Sequence, residues 1–199
     1  MSAPGSPDPS AAAPPDRSAG ASAAQERVPL YGPDGRPTGE VVTRARMRAE
    51  NLRHAATSVL VRDSAGRIVV HRRTDTKDVY PGLYDFTAGG VLTAGEENDP
   101  HAAAVREVRE ELGIENPVLE PVGEGEYADA HARYHAFLFV CVHDGPLVLQ
   151  EDEVAWADRV APEDLHRMLG TGETEGSYTF VPDSRALWAS SLSQLLPPR

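Results

Sequence analysis

Glu107, Glu110 and Glu111 stand at i, i+3 and i+4 in the run Arg106–Gly113, REVREELG. On a helix this spacing puts three carboxylates on one face, about a turn apart. Their mutual repulsion makes the stretch a poor bare helix. A divalent cation relieves it, and oxygen ligands of this kind suit Mg²⁺ or Mn²⁺ rather than zinc. The plain alternative is a solvated acidic face, which is what most charge runs are.

The helix that must carry these groups is well marked. Asp99 can cap it, Pro100 fits its first turn, and Gly113 is placed to end it. Val105, Val108 and Leu112 supply a core-facing stripe. Two β-branched runs, Ala55–Arg62 and Arg67–Arg73, flank Asp63–Gly66 and read as a hairpin. Val28–Tyr31 and Thr38–Val42 flank a Gly-Pro-Asp-Gly turn, and Thr43–Leu52 follows as a helix capped by Thr43. After the acidic helix, Val118–Glu126, Ala132–His143 and Glu153–Val160 read as strands, with Trp156 in the core. Pro162–Leu169 and Asp183–Leu195 read as helices. The order is α+β by pattern.

Residues 1–26 are rich in Ala, Pro and Ser and read as a disordered tail, leaving 27–199 as one domain. The formal net charge of −12 argues against binding a nucleic-acid polymer. It leaves room for a small phosphate-bearing ligand, since a bound metal and a few local cations can reverse the field. The single Cys141 excludes an intrachain disulfide and lies in an apolar run, as a buried thiol would. With no run long enough to span a membrane and no secretory leader pattern, the cytoplasm is the expected compartment.

The stretch Gly89–Ile114 as a whole resembles the Nudix box. Gly90 and Glu96 match its first half. Arg106, Glu107, Val108, Glu110, Glu111, Gly113 and Ile114 match its second half in full. Nine residues rather than seven separate Glu96 from Arg106, so Glu97–Pro100 contains a two-residue insertion, and Glu97 competes with Glu96 for its role. The resemblance implies an α/β/α sandwich around a mixed sheet. It also implies a metal-dependent hydrolase that cleaves a nucleoside diphosphate linked to another moiety, or a related organic diphosphate. From Val28 to Trp188 the chain looks like the isopentenyl-diphosphate-isomerase-like branch of that superfamily. The supporting stretches include Leu52-Arg53-His54, Val70-His71-Arg72-Arg73, Lys77…Pro81-Gly82 and Phe180-Val181-Pro182. Isomerase activity is rejected residue by residue. Gly89 replaces the family's catalytic cysteine, Val91 replaces a metal-binding histidine, and Ala132–His135 lacks the glutamate pair.

The resemblance implies Glu107, Glu110, Glu111 and Glu96 as metal ligands, with Glu107, Glu110 and Arg106 as the catalytic set. A loop acid, Glu153, competes with the helix glutamates as the base. Arg106 can pair with Glu110 or Glu96 and hold the ligands. Positions matching Arg73 and Lys77 face a diphosphate in that branch. Strand alternation lets Arg72 or Arg73 point inward, but not both. Gly89 and Gly90 let backbone approach ligand or helix closely, or simply make a tight turn. His54 reads as a hydrogen-bonded core residue. Tyr80, Tyr84 and Phe86 could stack a base, though packing is the commoner fate. Specificity is expected in Gly123–His131 and Gly170–Tyr178, which carry no recognisable code. ADP-ribose, sugar nucleotides, dinucleoside polyphosphates, dinucleotide cofactors and prenyl diphosphates all remain open. A Nudix-fold module that binds a nucleotide without turning it over is the competing reading.

Overall fold

The structure is a computed structural model that describes residues 23–170 and 178–189. Strands β1 (Arg27–Tyr31) and β2 (Pro37–Thr43) form an antiparallel pair, followed by helix α1 (Arg44–Ala49). Thr43 caps α1 by accepting from Arg46 N. A six-stranded sheet follows: β3 (His54–Arg62), β4 (Ile68–Arg73), β5 (Tyr84–Asp85), β6 (Leu119–Ala128), β7 (Arg133–Val142) and β8 (Val154–Val160). Its order is β5-β4-β3-β7-β6, with β8 paired to β4. β3 and β7 run parallel and the other pairs antiparallel, so the sheet is mixed. Helices α2 (Pro100–Leu112), α3 (Pro162–Gly170) and α4 (Pro182–Leu187) complete the fold.

The strand period of two builds the layers. Along β3, Val59 and Val61 pack with Ala104, Val108 and Leu112 of α2. Ala56 and Leu60 face the other way, with Leu165 and Met168 of α3 and with Trp188. The buried Trp188 indole satisfies its N–H on Ser58 Oγ at 2.9 Å. Each sheet face is thus covered by helix, which is the expected α/β/α sandwich. The β1–β2 pair and α1 bury a further cluster of Val28, Leu30, Val42 and Met47 against Val91. Contact with the domain begins before β1, because Glu26 pairs with Arg44 at 2.9 Å.

Several expectations change. Trp156 is 41% exposed, because β8 pairs along β4 with most of its residues uncovered beyond Val154. Gly123–Ala128 is strand rather than loop: β6 continues past a bulge between Pro121 and Gly123, in register with β7. The C-terminal helix is described only as Pro182–Leu187, and its expected continuation to Leu195 falls largely outside the described residues. The expected tail over residues 1–22 and most of the Gly170–Tyr178 loop also lie outside them. Cys141 is buried as expected, on the α2 side of the sheet. Among the described residues no helix is long and apolar enough to cross a membrane.

Candidate active site

Helix α2 starts and stops where its sequence dictates. Asp99 accepts from Ala102 N at 2.9 Å, and Gly113 closes the helix at φ 67°, a left-handed conformation that glycine adopts without strain. The two extra residues before it are absorbed in consecutive turns, with Glu96 N on Thr93 O and Asp99 N on Glu96 O. The helix therefore presents its acidic residues undisturbed. They are not equivalent. Glu111 is 3% exposed and lies behind the cleft wall, whereas Glu107 and Glu110 line the cleft.

Two cations hold these carboxylates. The Arg106 guanidinium donates to Glu96 through Nε and Nη2, to Glu107 at 2.8 Å and to Glu110 at 3.1 Å. Lys77 Nζ lies 4.0 Å from Glu111 and donates to Glu153 at 2.5 Å. Repulsion along the helix face is thus offset by side chains. Glu96 also accepts from the backbone and hydroxyl of Thr93, while Glu97 is bonded to Gly95 N alone through its side chain. Of the two competitors, Glu96 is the one that reaches Arg106, and its carboxylate is fully engaged there and on Thr93.

The glycine pair fits between strand and helix. Ala88 pairs with Val59, and Thr57 N donates to Gly90 O, so the segment lies along β3. A Cβ on Gly89 would fall 2.1 Å from Thr57 O, and one on Gly90 would fall 2.5 Å from the Glu107 carboxylate. Gly89 N also donates to Glu111. The close approach expected of these glycines is to β3 and to the α2 acids.

Burial dominates the electrostatics. It pushes the Glu111 carboxyl up to about 8; Lys77 opposes the shift, and Glu107 and Glu153 reinforce it. Burial also raises Glu107, against Arg106. Burial works against the charge on Arg106, yet Glu96 and Glu107 outweigh it and hold that cation firmly charged.

Arg106, Glu107, Lys77 and Glu153 line a cleft of about 860 Å³. Glu107, Glu110 and Arg106 form one wall, with Glu153 and Gln150 beside them. Arg73 and Lys77 line it too, while Arg72 points away to Asp75 at 2.6 Å, so one of the two arginines faces inward. Tyr80 lines the cleft and donates to Asp129; Phe86 is core, and Tyr84 packs edge-on to Tyr178 and Trp156. His54 is buried against Leu52 O, and burial drops its pKa to about 4, as a neutral core histidine requires. Sequence reasoning missed Arg44 and Arg48, which reach the cleft from α1, and Asp85, Asp183 and Ser184, which also line it. Only the i, i+4 spacing of the two arginines was there to be read.

The donor chemistry fits a hard divalent cation. The acids are all-oxygen, two are buried with raised pKa, and both counter-cations are side chains able to yield. As they stand, no three acidic, histidine or cysteine side chains among the described residues converge closely enough to hold an ion. Glu107, Glu110 and Glu111 would have to turn from Arg106 and Lys77 to do so.

Comparison with known proteins agrees with this architecture. Residues 52–183 match the NUDIX domain. The uncharacterized Nudix hydrolase YfcD of Salmonella typhi is 43% identical over 149 residues, 73% of this chain and 76% of that protein. The uncharacterized Nudix hydrolase orf19 of Rhodococcus erythropolis is 40% identical over 176 residues, 83% of this chain and 91% of its own. The crystal structure of DR0079 from Deinococcus radiodurans has the same fold, with a TM-score of 0.63 at 20% identity over 82% of this chain and 98% of that one. The chain therefore belongs to the Nudix family and is a hydrolase of the pyrophosphohydrolase kind.

Proposed function

We propose that the chain cleaves the diphosphate bond of a nucleoside diphosphate linked to another moiety, or of a related organic diphosphate, with Mg²⁺ or Mn²⁺ as its cofactor. The observation that carries this reading is the crowding of Glu107, Glu110 and Glu111 beside a cleft that Arg73 and Lys77 also line. Glu107, Glu110 and Glu111 would hold the cation. When bound, it supplies neutralisation of the phosphate oxygens, on which negative charge spreads as the bond breaks. Arg73 and Lys77 orient the diphosphate by charge. The base that takes a proton from the attacking water is one of the helix glutamates or Glu153; Glu107, Glu110 and Glu153 line the cleft, and Glu111 is buried behind them. Arg106 positions Glu107 and Glu110, and Glu96 holds Arg106, a supporting role in place of the metal contact expected for it. Gly89 and Gly90 leave room for this arrangement. We keep residues 27–199 as the domain, and place the chain in the isopentenyl-diphosphate-isomerase-like branch on the motifs quoted above. Cys141 packs in the core on the α2 side and does not line the cleft, so it does not stand in for the cysteine that Gly89 replaces.

The test is phosphate release across a panel of organic diphosphates, with a coupled phosphatase, with and without chelator, beside Glu111→Gln. Cleavage that needs metal and is lost in the variant supports the reading. Cleavage that survives chelator or the variant defeats it. Intact binding of a nucleotide without turnover on any diphosphate would favour the binding module.

A further inference from the structure

Arg44 and Arg48 lie one helical turn apart on α1 and converge on Asp78 Oδ2, at 3.8 and 3.3 Å. Asp78 belongs to the segment between β4 and β5, which also carries Lys77. Arg44, Arg48, Arg73, Lys77 and Asp78 all line the cleft. The Asp78 carboxylate feels all four cations: burial works against its charge, and the four together bring its pKa below the usual range.

One carboxylate does not satisfy this group. Arg48 Nε is buried and, despite its nearness to Asp78, makes no aligned hydrogen bond. The Arg73 guanidinium donates to the backbone oxygen of Val79 and has no carboxylate within ion-pair distance among the described residues. Burial, Arg44 and Arg73 all act against the Arg48 charge, and only Asp78 favours it. Arg44 has Glu26 as a second partner, and Lys77 has Glu153. A simple latch between α1 and the segment would need one cation. Guanidinium forks crowded at a cleft suit an oxyanion with several acceptor oxygens, since phosphate offers what one carboxylate lacks.

We propose that Arg44 and Arg48, together with Arg73 and Lys77, form an oxyanion subsite for the diphosphate of the substrate, and that Asp78 is its built-in occupant. The identity of the ligand rests on the hydrolase reading; the cation cluster does not. Asp78 screens the four cations while the cleft is empty and competes with the incoming phosphate oxygens.

Calorimetric titration of inorganic pyrophosphate into the full chain, without divalent metal, tests this apart from catalysis. Arg48→Gln and Arg44→Gln should each weaken binding about tenfold, as loss of a charge-assisted contact does. Asp78→Asn should tighten it severalfold, because the competing charge is gone. A purely structural latch gives the opposite sign: Asp78→Asn would loosen the segment and leave pyrophosphate binding weaker or unchanged. Thermal melts of each variant show that the fold is kept. The proposal fails if wild-type protein does not bind pyrophosphate, if the arginine variants bind like wild type, or if Asp78→Asn does not tighten binding. It fails as a diphosphate subsite if orthophosphate binds equally well. Binding as described with no cleavage of any diphosphate would leave the subsite standing and remove the hydrolase reading instead.

Discussion

The Arg106 guanidinium meets the Glu96 carboxylate side-on, with Nε 2.8 Å from Oε1 and Nη2 3.1 Å from Oε2. This two-point contact fixes the plane of the fork and leaves Nη1 for Glu107 and Glu110. Both partners are largely shielded, so the pair is worth more than a surface bridge. We predict that Glu96→Ala lowers stability by about 2 kcal/mol, since it strands a charged donor. Glu97→Ala should cost less, roughly 1 kcal/mol or below, since its carboxylate makes only a local contact with Gly95 N. Urea unfolding of the two variants side by side checks the contrast, and equal losses would contradict the assignment of Glu96. Arg106→Lys keeps the charge and loses the fork, so turnover should fall while the protein stays folded.

The glycine pair should separate stability from activity. Gly89→Ala drives a methyl group into the backbone oxygen of Thr57. Backbone cannot swing aside, and we expect a loss of about 3 kcal/mol, at the upper end of overpacking. Gly90→Ala presses instead on the Glu107 carboxylate, a side chain that can move. That variant should melt within a few degrees of wild type and lose at least about tenfold in turnover, the scale of a misplaced catalytic group. A Gly90→Ala enzyme with full activity would show that Glu107 need not stay where it is.

Lys77 and a divalent cation compete for the same acids. Lys77 compensates Glu111 and Glu153. Lys77→Met removes that charge, so the variant should be less stable in chelator and gain more in melting temperature from Mg²⁺ than wild type does. Thermal melts over a magnesium series measure this. An equal gain in both proteins would place the ion elsewhere.

The buried histidines set an acid limit. Burial, with Arg73 and Lys77 adding, lowers the His71 pKa from 6.5 to about 3. Between those values the unfolded chain binds a proton that the folded chain refuses. Stability contributed here is therefore present above pH 6.5 and is lost as pH falls toward 3. His54 acts in the same sense over a shorter window, down to about 4. His71→Leu should lose less stability than wild type between pH 6.5 and pH 4, as read by urea midpoints at the two values. An identical loss would mean that His71 is solvated.

What the chain announces locally, it delivers. Asp99, Pro100 and Gly113 bound α2 because caps and breakers act within a turn, and the β3 alternation sorts its residues onto two faces for the same reason. Glu107 and Glu111 were legible as a pair through the 3.6-residue period, but not the burial that sets Glu111 behind the wall. Glu153 could not be separated from a surface residue, since its contact with Lys77 spans 76 positions. Nothing local to Arg44 and Arg48 marks the segment bearing Asp78 that folds onto them. Trp156 misled for the converse reason: a large apolar side chain carries no mark of the strand face it will occupy.

The parallel pairing of β3 with β7 brings residue 54 beside residue 134, and α2 lies in the chain between them. Such contacts reward the chain only after a long loop has closed, so they form late and together. Until the sheet closes, the cleft has no complete wall, whatever helix the chain already holds elsewhere. Catalytic competence should then switch on in one step with final closure of the sheet, and refolding followed by activity and by far-ultraviolet helix signal should part company, with activity lagging.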